Sequence, residues 1–395
     1  MLLGGIHYLL PVIKAAHEQG YYVITADNVP DNIAHKHSDE YVNVSIVDKN
    51  AVLSAAQERA IDGIISFGVD PGVEAAAYVQ EQMHLPSMGP YESVRILQNK
   101  DLFRVFLRDH GFNVPNARGY VSVEEALYDT GWLQWPMIVK PTDSAGSKGV
   151  TRVDRIEEYE DAVKLAFAKS IKGHIVVEQF IEQKGYQTGS DSFMLDGHLA
   201  FVSYDNQLFD STASNPYTPA AHVWPTMMPE KNQRYLTDEL QRLLALLHMG
   251  TSILNIEARV GIDDKVYIME VAPRGGGNRL SEVLYYATGV DMITAQVRAA
   301  VGDSVEGIEQ RPYDGYWAEI ILHVPKDGKF KELQISDAFT EYVVERDVRV
   351  HKGEEVHAFR GANDTIGALI LRFENEKLMW DALNHQKEWL RIIVE

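Results

Sequence analysis

Residues 266–282 read VYIMEVAPRGGGNRLSE and combine an apolar run, an acid, an arginine and three consecutive glycines. Glu270 lies in the apolar run, and Arg274 follows it four residues later. Glycine-rich turns after strands often bind phosphate through backbone N–H groups, but this turn has no Walker lysine and starts with a carboxylate. The stretch therefore predicts a strand and a loop that form an anion site, a metal site or a simple turn.

The residues just before this stretch, SILNIEARVGIDDK, predict a partner strand and a turn. A two-residue turn that begins at Asp263 would place Glu257 opposite Glu270 and Asn255 opposite Ala272. Strand alternation then keeps both glutamates on one face of the hairpin.

Two carboxylates about 4 Å apart repel by about 4 kcal/mol at an effective dielectric constant of about 20. A divalent cation such as Mg²⁺ would relieve this repulsion, because it prefers oxygen ligands and binds substrate phosphates as well. Alternatively, Arg259 and Arg274 neutralise two solvent-facing acids. Geometry alone leaves both interpretations open.

A second candidate element is WPMIVKPTDSAGSKGV, residues 135–150. Lys140 ends an apolar strand and precedes a loop of small residues, whose backbone N–H groups can approach an anion closely. The loop differs from a Walker motif, in which the lysine follows the glycines. The pattern predicts a phosphate site, and a surface turn is the alternative.

Two further segments carry weaker signals. Residues 94–111 have helical periodicity, and Lys100 lies near the start of this predicted helix, where a solvated surface lysine is the alternative. VVEQFIEQKGYQTGSD, residues 176–191, is a buried strand that runs into acids, which is typical of a hinge whose backbone reads a flat heterocycle.

Residues 208–229, LFDSTASNPYTPAAHVWPTMMP, show no periodicity and predict a long functional loop. We expect His222 to line the acceptor side, although a surface histidine explains the pattern equally well. Backbone N–H groups at Gly276 and Gly277, together with Arg279, suit the carboxylate of an amino acid or a similar small acid.

The composition restricts the class of partner. The 395 residues include 37 Lys and Arg and 57 Asp and Glu, so the net charge is −20, which argues against nucleic acid or an anionic membrane as the main partner. There is no cysteine, which excludes disulfides and thiolate catalysis. The N-terminal segment is too polar for a signal peptide or a membrane span, so we expect a cytoplasmic protein.

The order of strand and helix signals predicts an α/β (α+β) protein of several domains. Residues 1–95 read as a Rossmann-like domain, but the glycines at 4 and 5 lack the G-x-G-x-x-G spacing of a dinucleotide site. Residues 96–300 form the central part of the chain, and residues 301–395 read as a β-rich domain with a final helix near 376–390.

In combination and order, these motifs resemble the ATP-grasp superfamily: a lysine at a helix start, VKP before a Gly/Ser loop, VVE-x-F-I, and two glutamates with E-x-x-x-R. The layout is similar to that of biotin carboxylase and phosphoribosylamine–glycine ligase, and the ending E-x-x-x-R-x-G-G resembles amino-acid ligases. The resemblance implies an ATP-grasp domain at 96–300 with a mobile lid at about 118–178.

The resemblance also implies a nucleotide site. Lys100 and Lys140 would bind the phosphates, and Ser144, Ser147 and Gly149 would close over them. Glu178, with the backbone of Phe180 and Ile181, would hold adenine. Gln187 would form hydrogen bonds to the ribose. Related proteins have a glutamate at the position of Gln187.

For the metal, the resemblance implies Mg²⁺ or Mn²⁺ on Glu257 and Glu270, while Arg274 steadies the transferred phosphate. Many family members have an asparagine at the position of Ala272. Asn255, across the predicted hairpin, is our replacement candidate, and Asn278 is a second.

The implied activity is an ADP-forming carboxylate–amine ligase that uses ATP and passes through an acyl phosphate, with small-molecule substrates and a homodimeric state. Arg274 and Lys140 would be its catalytic cations. A bicarbonate-activating carboxylase is one alternative, and a nucleotide-binding regulator without catalysis is another.

Overall fold

The computed structural model describes residues 1–143 and 148–395, so the predicted lid residues Ser144 and Ser147 lie outside the described part. Its strands are β1 Leu2–Leu3, β2 Ile24–Asp27, β3 Glu40–Asn43, β4 Ile65–Ser66, β5 Ala117–Tyr120, β6 Met137–Pro141, β7 Thr151–Val153, β8 Ile175–Gln179, β9 Thr188–Leu195, β10 His198–Phe201, β11 Asn206–Phe209, β12 Pro219–Trp224, β13 Ser252–Val260, β14 Val266–Ala272, β15 Tyr316–Leu322, β16 Gly328–Ile335, β17 Val343–Val348, β18 Glu355–Val356, β19 Gly367–Phe373 and β20 Leu390–Val394.

The helices of the same described residues are α1 Leu10–Glu18, α2 Lys49–Glu58, α3 Val73–Met83, α4 Tyr91–Gln98, α5 Lys100–Asp109, α6 Val123–Tyr128, α7 Tyr159–Lys169, α8 Glu230–Leu246, α9 Leu280–Thr288, α10 Met292–Val301, α11 Asp337–Thr340, α12 Glu376–Asn384 and α13 Gln386–Trp389. Side-chain caps explain several starts: the Asp48 carboxylate accepts from two N–H groups of α2, and Asp291 accepts from Thr294 N–H in α10.

The N-terminal unit is a parallel sheet in the order β3-β2-β1-β4, with α1, α2 and α3 between or after its strands. This arrangement confirms the predicted Rossmann-like domain. The carboxyl ends of these strands face the rest of the chain, and Gly68 N–H donates to Gly275 O at 3.1 Å across the junction.

The segment at 94–111 forms two helices rather than the one predicted. Asn99 separates α4 from α5 because its backbone is extended, with φ −114° and ψ 109°. The Asn99 amide donates to Glu74 at 2.8 Å and to Arg95 O at 2.7 Å. The break lets α5 begin at Lys100, directly beside the central sheet.

Two antiparallel sheets form the middle of the molecule. The first, in the order β5-β8-β6-β7, spans residues 117–179 together with α6 and α7, the part of the chain predicted to be a lid. The second has the order β10-β9-β13-β14 and carries the predicted glutamate pair. Mobility of the first sheet stays a prediction.

The β13–β14 hairpin has the predicted pairs but a different turn. Glu257 pairs with Glu270 and Asn255 with Ala272, whereas the register is shifted by one residue nearer the turn. Gly261 N–H donates to Lys265 O at 2.8 Å, so the two-residue turn is wrong. A bulge between these regions restores the predicted pairing.

The C-terminal part contains a five-stranded sheet in the order β11-β12-β15-β19-β17 and a small sheet in the order β18-β16-β20. Because β11 and β12 lie before residue 301, the larger sheet continues across the predicted domain boundary. The prediction of an irregular segment at 208–229 is wrong where β11 ends and β12 forms.

Candidate active site

The predicted metal pair lies next to a buried lysine. Lys100 Nζ is 3.2 Å from Glu270 Oε2, and the Lys100 side chain is only 17% exposed, so the surface interpretation of this lysine is wrong. Burial opposes ionisation of Glu270, but Lys100, Arg274 and Lys140 together outweigh it and lower the pKa of that carboxyl. Burial and the neighbouring Glu270 raise the pKa of Glu257. The negative charge of the pair is therefore favoured on Glu270, beside Lys100.

The donor set fits a hard divalent cation bound together with a nucleotide. No group of three or more His, Cys, Asp or Glu that could hold a metal occurs in residues 1–143 and 148–395. Mg²⁺ does not need such a group, because it is bound by one or two carboxylates plus substrate phosphates. Glu257 and Glu270 supply those two carboxylates.

Asn255 is tied to a buried aspartate that sequence reasoning did not single out as a site residue. Asp191 accepts from Asn255 Nδ2 at 3.0 Å, from Gly276 N–H at 2.8 Å and from Ser281 Oγ at 2.6 Å. The signal was an acid between two serines within a strand. Asp191 joins β9, β13 and the glycine loop, and it uses the nitrogen of the Asn255 amide, whereas a cation would need the oxygen.

The second candidate, Asn278, lies elsewhere in the loop. Its Oδ1 accepts from Tyr8 Oη at 3.2 Å, and its backbone φ is +62°. This contact joins the loop to the N-terminal unit.

Lys140 and Glu178 form an ion pair, and Arg104 completes a buried network. Arg104 Nε donates to Glu178 Oε2 at 2.8 Å, and Arg104 Nη1 donates to Met269 O at 2.8 Å. Burial opposes the charge of Glu178, but Arg104 and Lys140 lower its pKa to about 2. The Glu178 carboxylate is therefore occupied by two cations, and its adenine-binding role stays a prediction.

Around the predicted hinge, Arg259 is the main contact. Its guanidinium donates to Ile181 O at 3.3 Å and to Gln187 Oε1, and Gln187 Nε2 donates to Gln207 Oε1 at 2.8 Å. Phe180 N–H donates to Pro136 O at 3.0 Å. Arg259 thus binds the hinge, and its charge also opposes the rise in the pKa of Glu257, in keeping with the neutralising role considered from the sequence.

Arg274 is held by an acid from the N-terminal unit. Its Nε and Nη2 donate to the two oxygens of Asp70 at 2.7 and 2.9 Å, and Nη1 donates to Gly275 O at 2.9 Å. Sequence reasoning missed Asp70, although its position after β4, in the run DGIISFGVD, was a usable signal. The pair joins the glycine loop to the carboxyl end of the parallel sheet.

A cavity of about 590 Å³ opens between the N-terminal unit and the two middle sheets. Lys100, Glu270 and Asp70 line it, so it adjoins the glutamate pair and the partner of Arg274. Lys172 and Glu74 also line the cavity and form an ion pair at 3.0 Å across it.

His222 is buried rather than a surface residue, with 2% of its surface exposed. Its Nδ1 lies 2.5 Å from Asp205 Oδ2, and the residue opposite it on β15 is Glu319. Burial opposes the charge of His222, but Asp205 outweighs it and raises the pKa of the imidazole. His222 therefore lies in a buried group of ionisable side chains, between Asp205 and the strand that carries Glu319.

The other predicted substrate residues lie along the glycine loop. Arg279 donates to Glu282 at 2.9 Å and also to Glu345, so acids of this chain already occupy its guanidinium. A Cβ at Gly277 would lie 3.3 Å from the Tyr8 ring. Gly149, at the described edge of the predicted phosphate loop, has φ +74°.

Residues 133–282 match the profile of the ATP-grasp domain. The chain therefore contains an ATP-grasp domain at these residues. The carbamoyl phosphate synthase large chain of Thermotoga sp. (strain RQ2) is 23% identical over 306 residues, which are 76% of this chain and 27% of that one. The chain thus spans about a quarter of the length of this curated relative.

Two solved structures match this chain along its whole length. An L-amino acid ligase from Bacillus licheniformis has a TM-score of 0.81 and 20% identity, with 100% of this chain and 98% of that one covered. The biotin carboxylase domain dimer of Hydrogenobacter thermophilus 2-oxoglutarate carboxylase, solved with MgADP, ADP and bicarbonate, has a TM-score of 0.73 and 17% identity, with 100% and 90% covered. These matches confirm the predicted ATP-grasp fold.

Among the described residues, no helix is both long enough and apolar enough to cross a bilayer.

Proposed function

We propose that this protein is an ATP-dependent, ADP-forming ligase that joins a small carboxylate to an amine through an acyl phosphate. The observation that carries the proposal is the cavity between the units, where Lys100 and Glu270 stand beside Asp70, the partner of Arg274. It brings a cation, a metal-binding carboxylate and an arginine clamp to one place. Lys140 and Glu257 lie nearby, because the charge of Lys140 lowers the pKa of both glutamates and the charge of Glu270 raises that of Glu257.

The charges of this site suit phosphoryl transfer between anions. A substrate carboxylate would attack the γ-phosphorus of ATP, and the bond to the ADP oxygen would break. Lys100, Lys140 and Arg274 would orient the phosphates and offset the developing negative charge. Mg²⁺ or Mn²⁺, when bound to Glu257 and Glu270, would supply further positive charge to the phosphate oxygens.

In the second step, the amine would attack the acyl carbon, and inorganic phosphate would leave with the electrons of the C–O bond. Water competes with the amine, so the sheet at 117–179 would need to cover the site while the acyl phosphate exists. This requirement supports a lid role for that sheet.

A panel of small carboxylates and amines, incubated with ATP and Mg²⁺, tests the proposal by the release of ADP and phosphate. We expect release to depend on both an acid and an amine, and a condensed product to appear by mass spectrometry. ADP release that needs neither substrate would contradict the proposal.

A bicarbonate-activating reaction is the second candidate, and the bicarbonate bound to the 2-oxoglutarate carboxylase domain favours it. The same panel separates the two, because a carboxylase would release ADP with bicarbonate as the only acid. The predicted homodimer would be checked separately by light scattering.

A further inference from the structure

A buried cluster beside the glycine loop holds polar atoms that have no partner. Among the described residues, eight buried side-chain nitrogen and oxygen atoms lack a hydrogen bond, and four of them belong to His7, Glu319 and Arg349. The four atoms are His7 Nε2, both oxygens of Glu319 and Arg349 Nη1. Buried polar groups are normally paired, so several in one place indicate a ligand.

These three residues come together from distant parts of the chain. Arg349 is close enough for its charge to lower the pKa of both His7 and Glu319. Its guanidinium lies 5.5 Å from the centre of the Tyr8 ring. Tyr8 in turn contacts Asn278 and Gly277 of the glycine loop. The cluster therefore adjoins the loop that carries Arg274.

The neighbouring cations are bonded to other acids, and neither oxygen of Glu319 accepts a hydrogen bond. Arg279 is paired with Glu282 and Glu345. Arg349 Nε donates to Asp347 Oδ2 at 2.9 Å, whereas Arg349 Nη1 has no hydrogen-bond partner. His222 Nδ1 is bonded to Asp205.

Glu319 itself is 0% exposed, and both its oxygens lack a donor. A buried carboxylate without a counter-ion is strongly unfavourable, so the site calls for a cationic donor. Arg349 Nη1 calls for an acceptor oxygen.

These needs define the chemistry of the missing partner: one cationic donor and one acceptor oxygen, close together. An α-amino acid zwitterion offers both. We propose that the cluster binds the amine substrate, and that this substrate is an α-amino acid whose ammonium bonds Glu319 and whose carboxylate bonds Arg349. This inference rests on the proposed ligase function and names its amine.

The position of Glu319 fits this role. It lies opposite His222 in the pairing of β15 with β12, and the charges of both Glu319 and Glu257 raise the pKa of His222. An ammonium on Glu319 must lose a proton before it attacks the acyl carbon, and the carboxylate can accept that proton. Because Glu319 is buried, the ligand enters only when the cluster opens.

Calorimetry without ATP tests the inference independently of catalysis. The probes are the proteinogenic α-amino acids, followed by the N-acetyl and carboxamide derivatives of the tightest binder. We expect each derivative to bind about 10- to 100-fold more weakly than the parent, because each leaves a buried charged group unpaired. Equal binding of parent and derivatives would overturn the inference.

Two variants give a pattern that a purely structural role would not produce. Glu319→Gln should lose the discrimination against the N-acetyl derivative and keep that against the carboxamide, whereas Arg349→Met should do the reverse. Glu306→Gln, at an exposed site, is the matched control and should keep both. Loss of both discriminations in either variant, with the circular dichroism spectrum unchanged, would contradict the assigned contacts.

The outcomes separate this inference from the proposed function. ADP release with amines that are not amino acids, without amino-acid binding, would leave the ligase proposal intact and overturn the inference. Amino-acid binding without any ADP release would overturn the ligase proposal and, with it, the role of that amino acid as a substrate, and would leave only the contacts of the amino acid with Glu319 and Arg349. Stabilisation by KCl alone that depends on Glu319 would show a simple cation as the occupant and would also overturn it.

Discussion

At the scale of single residues, Glu319 should control how stability depends on pH. Burial raises its pKa to about 7, from an ordinary value of 4.5, and the neighbouring charges are His222, Glu282, Arg279 and Arg349. An acid whose pKa is higher in the folded state contributes stability that is complete below its unfolded pKa and lost as pH rises through its folded pKa. We expect Glu319→Gln to remove a loss of about 3 kcal/mol between pH 4.5 and 7.

Urea unfolding at a series of pH values measures this effect as the difference in unfolding free energy between variant and parent. The difference should grow with pH in favour of the glutamine variant. Glu306→Gln should show no such trend, because its side chain is exposed. A flat difference for Glu319→Gln would show that a partner already neutralises the buried carboxylate.

Arg104 should be important for stability, because it is 2% exposed and pairs with the buried Glu178. Replacing Arg104 with Met would leave Glu178 with Lys140 as its remaining cation, so we expect the unfolding free energy to fall by about 3–5 kcal/mol. Arg108→Met, on an exposed part of α5, is the control and should change stability by less than about 0.5 kcal/mol. Equal effects would argue against the buried network.

Single residues also show which parts of the candidate site can be predicted from the sequence. Lys100 was predicted as a site residue from its motif, and Arg104 lies one helical turn later, where it could have been noticed. Their partners Glu270 and Glu178 come from distant segments of the chain, so only the fold reveals the ion pairs. Asp70 was missed for the same reason.

At the scale of elements, the β13–β14 hairpin shows that the alternation of side chains along a strand predicts which face each residue lies on. It does not predict the turn equally well. The glutamates were predicted to lie opposite each other, and they do. The turn itself was predicted wrongly, because a bulge can be inserted without changing which residues are apolar. The faces of the two strands near the site were therefore predictable, whereas the loop was not.

The glycine loop after β14 requires Gly276 for steric reasons. A Cβ there would lie 2.8 Å from both Asn255 Nδ2 and Asp191 Oδ1. We expect Gly276→Ala to lower the unfolding free energy by about 1–3 kcal/mol, because it would disturb the hydrogen bonds to the buried Asp191.

Gly131→Ala is the matched control for this substitution. A Cβ at Gly131 would have no neighbour within 4 Å, so stability should be almost unchanged in thermal or urea unfolding. A Gly276→Ala variant as stable as the control would show that the loop can move away from Asp191.

At the scale of the whole molecule, the candidate site belongs to no single sheet. The parallel sheet supplies Asp70, α5 supplies Lys100, and the hairpin supplies the glutamate pair, with the cavity between them. Motif order in the sequence indicated the ATP-grasp fold, but the larger C-terminal sheet gathers strands from both sides of residue 301. Such long-range pairing is set by packing rather than by local pattern, so the sequence could not show it.

The central claim is that Glu270 serves ATP-dependent chemistry in this cavity. The most direct test is the rate of ADP release with ATP, Mg²⁺, an acid and an amine, measured for the parent, Glu270→Gln and the exposed control Glu306→Gln. We predict that Glu270→Gln folds normally but loses about 10²- to 10³-fold in rate, whereas the control keeps its activity. A Glu270→Gln variant with nearly normal ADP release would contradict the account.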